Sequence, residues 1–127
     1  MTRIYLDPQA AVIDGSGEPS PDAEALRTLR FLVEAGHEVV IVMAADEELP
    51  GQLRAVSSTR IAEVPESPDA PAWYLTRDVE RCQGMSARVR TVLIGATPPS
   101  GSIHRCDTVA RDVPAAVMEI LAAEAMP

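Results

Sequence analysis

In Glu38-Val39-Val40-Ile41-Val42-Met43 an acid is followed by an unbroken apolar run whose first four residues are β-branched. Continuous runs of this kind, without apolar/polar alternation, mark strands covered on both faces, as in a parallel sheet. Working outward, the same signature opens the chain at Arg3-Ile4-Tyr5-Leu6-Asp7 and returns at Ala72-Trp73-Tyr74-Leu75-Thr76 and Thr91-Val92-Leu93-Ile94-Gly95, with a weaker run at Arg60-Ile61-Ala62-Glu63-Val64. Helical segments fall between these runs. The clearest spans 21–35: Ser20 is a good N-cap, Pro21 suits the first helical position, Asp22 and Glu24 favour the positive end, and Leu26, Leu29 and Leu32/Val33 form the buried stripe. Gly36 then closes the helix with a left-handed cap. Asp46 opens a second helix reaching Val56, Asp78 caps a short third one interrupted near Gly84, and Asp112 caps the last, whose buried face is Val113, Val117, Ile120 and Leu121. Strands alternating with helices predict an α/β fold with a doubly wound sheet. The segments 65–71 and 97–102 read as loops from their Pro, Gly and Ser content. All 127 residues are expected to form one domain.

Composition narrows the function classes. Nineteen acids face eleven bases, for a formal charge of −8, which argues against nucleic acid or an anionic membrane surface as partner. No apolar run is long enough to span a bilayer, and the N-terminal residues lack a signal-peptide profile, so a cytoplasmic protein is expected. Every base is an arginine. Without lysine there is no Schiff base, no P-loop lysine and no lysine general base. Cys82 and Cys106 read as core or partly buried thiols rather than a disulfide framework, and with His104 they match no standard zinc spacing.

In open parallel sheets ligands bind at the carboxyl ends of strands. That rule singles out Asp7, Met43 with Ala44, and Arg77 with Asp78. Around these positions the chain resembles the haloacid dehalogenase superfamily, which opens with a strand, Asp-x-Asp-Gly-Thr-Leu, a flap loop and a helix often begun by Pro. The matching stretch is Asp7-Pro8-Gln9-Ala10-Ala11-Val12, followed by residues 13–21, the Leu-rich helix and Ala35-Gly36-His37. The family's fourth motif, a strand ending in Gly-Asp, is matched by Trp73-Tyr74-Leu75-Thr76-Arg77-Asp78, and the later segments 91–95 and 106–113 keep the family's cadence. The resemblance, taken with right-handed crossovers, implies a three-layer Rossmann-like sheet of five main strands in the order 5-4-1-2-3, with helices on both faces and no cap domain.

The resemblance also assigns roles. Asp7 matches the nucleophile, but Gln9 stands at the general acid/base position, and an amide cannot exchange a proton near neutral pH. Met43 replaces the phosphoryl-binding Ser or Thr, Ala44 follows it, and only Arg60 or Arg54 could replace the family's charge-screening base. Asp7 and Asp78 remain as weak magnesium ligands, too few oxygens for an ion that prefers a full octahedral shell. The balance leans against an enzyme. A non-catalytic domain is expected, binding a small ligand or a protein partner, with no resident cofactor and with homo-oligomerisation open to it. The alternative is a magnesium-dependent phosphatase with an atypical site around Asp7 and Asp78. A receiver-like signalling domain ranks last, because its lysine is missing. Arg77, where the family has Gly, is expected to pair with Asp7 or Asp78 and replace the metal.

Overall fold

The computed structural model describes residues 2–13, 20–43, 53, 56, 59–66, 72–82, 85, 88–95 and 106–125. Among these residues the strands, in chain order, are β1 (Arg3–Leu6), β2 (Val12–Ile13), β3 (Ser20–Pro21), β4 (Glu38–Val42), β5 (Arg60–Ile61), β6 (Ala72–Thr76), β7 (Val89–Ile94) and β8 (Thr108–Ala110). The α-helices described along their length are α1 (Ala23–Glu34) and α2 (Val113–Ala125), with 3-10 turns at Pro8–Ala11 and Val79–Cys82. Six strands form one all-parallel sheet in the order β5-β4-β1-β6-β7-β8. The fold is α/β with a Rossmann-like parallel sheet. Strand count and order depart from the five-strand expectation by β8, an added margin strand beside β7. Thr108-Val109-Ala110 is too short and too mixed in polarity to announce itself.

The chain moves outward from β1 through β4 to β5, then returns to β6 on the other side of β1 and moves outward again to β8. The reversal lies between β1 and β6, whose registers pair Ile4 with Trp73 and Leu6 with Leu75. Pleating sends alternate side chains to opposite faces. Ile4, Leu6, Val39, Ile41, Trp73, Leu75, Val92 and Ile94 form one core with Leu29 and Leu32 of α1 and Val117 and Ile120 of α2, and Leu53 and Val56 belong to it too. Tyr5, Val40, Val42, Ala72, Tyr74 and Val89 face the other way, against Ile61, Val64 and Met85.

Helices on both faces are therefore not what the described residues show: both α-helices pack on one face. α1, between β1 and β4, packs in the first cluster, whereas Met85, between β6 and β7, packs in the second, as right-handed crossovers to opposite sides of β1 require. The Val113–Ala125 helix follows the last strand and returns to the first face. On that second face the described connection after β6 is the 3-10 turn Val79–Cys82. The third layer is thus not helical among the described residues.

Local signals explain most element ends. Asp22, not Ser20, caps α1, accepting from the Glu24 N–H at 3.2 Å, because Ser20 and Pro21 are drawn into the antiparallel pair with Val12 and Ile13. Val33 is exposed rather than buried; the buried stripe is Ala25, Leu29 and Leu32. Gly36 ends the helix at φ +94°, with its N–H on the Val33 carbonyl and the His37 N–H on the Leu32 carbonyl, a Schellman closure that favours glycine. Asp112 caps α2 through the Ala115 N–H at 2.9 Å. Of the second expected helix only Leu53 and Val56 are among the described residues.

The cysteines overturn their reading as thiols: Cys82 and Cys106 form a disulfide across 24 residues of sequence. It clips the end of the 3-10 turn to the approach of β8, and both half-cystines are buried with Leu93. Spacing alone carried no sign of this, because β6, β7 and β8 must first be neighbours.

Candidate functional site

β1 and β6 end side by side, and the ladder between them continues one step further, with the Asp7 N–H donating to the Leu75 carbonyl at 2.9 Å. Asp7 is thereby fixed at the switch between the two halves of the sheet, where a buried carboxylate needs compensating donors. Three are supplied. The Gln9 backbone N–H donates to Oδ1 at 3.3 Å, the Thr76 hydroxyl donates to Oδ2 at 3.1 Å, and Arg81 Nη1 lies 3.3 Å from the same Oδ2. The first comes from the 3-10 turn that Pro8 begins. The second comes from Thr76, wholly buried at the end of β6.

Thr76 has a second task. Its Oγ1 accepts the Asp78 N–H at 3.1 Å, which bends the chain out of the strand. Asp78 then caps the 3-10 turn, its Oδ1 accepting from the Glu80 N–H at 3.0 Å. That turn carries Arg81 back over the strand end, where Nε lies 3.8 Å from Asp78 Oδ2 while Nη1 reaches Asp7. One guanidinium thus spans both carboxylates. The Arg81 pKa is raised above its ordinary value, chiefly by a hydrogen bond with the Tyr74 side chain and next by the charge of Asp7. It is a fixed positive charge at any working pH.

Asp7 and Asp78 are therefore brought to one place, through Arg81 and Thr76. Arg77 does not join them: the guanidinium expected from Arg77 is supplied by Arg81. Arg77 is half-buried, its Nε is sealed from solvent with no hydrogen-bond partner, and it packs towards Gly95 at the end of β7. Gln9 contributes its backbone N–H, and its side chain is exposed. Met43 directly follows β4, with its side chain in the helix-face core, where Sδ lies 3.9 Å from Arg60 Nη1. Ala44 and Arg54 lie outside the described residues.

The donor set does not fit a resident magnesium ion, which prefers about six oxygens in a near-octahedral shell. Both Asp7 oxygens and both Asp78 oxygens already face N–H or O–H donors, and a guanidinium occupies the space between the carboxylates. Among the described residues no group of three or more His, Cys, Asp or Glu side chains is arranged to hold a metal. No described helix is long and apolar enough to cross a membrane.

Thr76 and Arg81 are the functional residues that sequence reasoning missed. Arg81 follows Asp78 by three positions, a spacing that brings side chains together only in a helical turn, so the pairing becomes visible once the turn is known. No family model, no curated protein and no solved structure matches the chain.

Proposed function

We propose that the chain is a non-catalytic haloacid dehalogenase-like domain that binds a small ligand or a protein partner at the carboxyl edge of its sheet. The observation that carries this reading is the Arg81 guanidinium on Asp7 Oδ2, in the position where a phosphotransfer enzyme of that kind needs a metal beside a free nucleophile. A carboxylate held by three donors is a poor nucleophile, and Gln9 offers no proton to a leaving group. The position of β1 inside the sheet, and the β2–β3 hairpin standing between Asp7 and α1 where the family has its flap, support the family resemblance. The cytoplasmic location expected from the sequence has the Cys82–Cys106 bridge against it, since disulfides persist mainly in oxidising compartments.

The magnesium-dependent phosphatase reading has one observation in its favour: a single cationic group reaches both Asp7 and Asp78, so the two carboxylates are close enough to share a cation. Hydrolysis of p-nitrophenyl phosphate with magnesium decides between the two. The non-catalytic reading expects the parent and Asp7→Asn to release product at the same background rate. Turnover by the parent that Asp7→Asn abolishes makes the protein a phosphatase.

A further inference from the structure

We infer that the groove between the amino-terminal ends of β6 and β7 and the second half of α2 binds a small amino-carboxylate, a molecule whose ammonium and carboxylate are joined by a short apolar linker. The site is separate from the Asp7 cluster and goes beyond the reading above. Trp73 and Arg90 are the second residues of their strands, whereas Asp7 stands at the opposite, carboxyl edge of the sheet. The two are register partners in the parallel ladder, so both side chains leave the sheet on the face that α2 covers. Glu119 and Ala123, one turn apart on α2, line the groove from the helix, and Asp107 and Thr108 line it where the chain enters β8. Its volume is about 310 Å³, within the roughly 300–1,000 Å³ of small-molecule sites.

The lining is braced by the scaffold. The Trp73 indole N–H donates to Glu124 Oε1 at 2.8 Å, and the Arg90 guanidinium carbon lies 5.2 Å from the centre of the Trp73 ring, within cation–π reach. Asp107 is fixed against β7. Its Oδ2 accepts from the Thr91 N–H at 2.8 Å and from the Thr91 hydroxyl at 3.2 Å, while its own N–H donates to Thr91 Oγ1 at 2.9 Å. Those bonds leave Oδ1 of Asp107 as an open acceptor. Among the described residues the side chains of Arg90 and Glu119 have no ion-pair partner. The groove therefore holds one guanidinium and two carboxylates that do not pair with one another. The guanidinium offers a fork of donors to a ligand carboxylate, and Asp107 and Glu119 offer acceptors to an ammonium. The Trp73 ring and the Ala123 methyl supply apolar surface to the linker. With both charged ends on one molecule, the second contact forms at high effective concentration and adds to the first.

Trp73 is the only tryptophan in the chain, so its fluorescence reports on the groove directly. Glycine, γ-aminobutyrate and ε-aminocaproate are titrated into the full chain, with propylamine and propionate as one-ended controls and sodium chloride at matched ionic strength as reference. Support is a saturable change with at least one amino-carboxylate, bound at least threefold more tightly than either control and weakened at least threefold in both Arg90→Gln and Glu119→Gln. Weakening in only one variant, or equal binding of a one-ended control, reduces the site to a simple anion or cation contact and overturns the inference. The absence of any saturable change beyond the chloride reference overturns it as well. Both substituted side chains are exposed, so each variant is expected to fold. Should either fail, the comparison of two-ended with one-ended compounds on the parent decides by itself.

Discussion

Thr76 links the two acids of the site. Its hydroxyl donates to Asp7 and accepts from the Asp78 backbone, and the side chain has no access to solvent. Thr76→Val keeps the shape and removes both bonds, leaving the Asp7 carboxylate and the Asp78 N–H short of a partner. The expected loss is about 1–3 kcal/mol in denaturant unfolding, recovered in large part by Thr76→Ser. Unchanged stability in the valine variant would remove Thr76 from this role. Arg81 is weaker by the same reasoning. Its side chain is 52% exposed, so water screens the pair with Asp7, and a double-mutant cycle of Arg81→Ala with Asp7→Asn should return a coupling of roughly 1 kcal/mol. A coupling of zero would mean the contact is incidental. At this scale Asp7 was legible, since an acid closing an apolar run before Pro8 stands out in any parallel-sheet reading. The guanidinium was misassigned to Arg77 because adjacency to Asp78 is visible in sequence, whereas the i, i+3 return of Arg81 depends on a 3-10 turn.

The 3-10 turn Val79–Cys82 is the element on which the site depends. Asp78 begins it, Arg81 reaches out from it and Cys82 ends it, tied to Cys106. The bridge closes a loop of about two dozen residues, which in the chain-entropy view contributes about 3 kcal/mol by restricting the unfolded chain. Cys82→Ser with Cys106→Ser should therefore lower stability by that order. The denatured parent, kept unreduced, should show no thiol to a colorimetric reagent. Two reactive thiols per chain would contradict the bridge. Elements with long apolar runs, β1, β4, β6 and β7, were legible from composition and run length. The short β8 was not. Ser20 and Pro21 misled, since a good N-cap signal was overridden by pairing with Val12 and Ile13, a tertiary outcome that local preference does not contain.

Across the whole molecule, sheet order explains why the site is where it is. Two halves wind outward from the β1–β6 boundary, and Asp7, Thr76 and Arg81 meet at that boundary's carboxyl end. The parallel sheet was legible because continuous burial on both faces writes itself into β-branched runs. The placement of both described α-helices on one face was not, since a buried run records that a face is covered, not by what. Charge follows the same logic: in a chain of net charge −8, two converging carboxylates at the switch point need a cation, and here it is an internal guanidinium. Calorimetric titration of magnesium into the parent and into Arg81→Ala tests that claim most directly. The parent should give no binding heat at millimolar magnesium, while removal of the guanidinium should open a weak site that Asp7→Asn closes again. Magnesium binding to the parent that depends on Asp7 and is indifferent to Arg81 would contradict the replacement of metal by arginine.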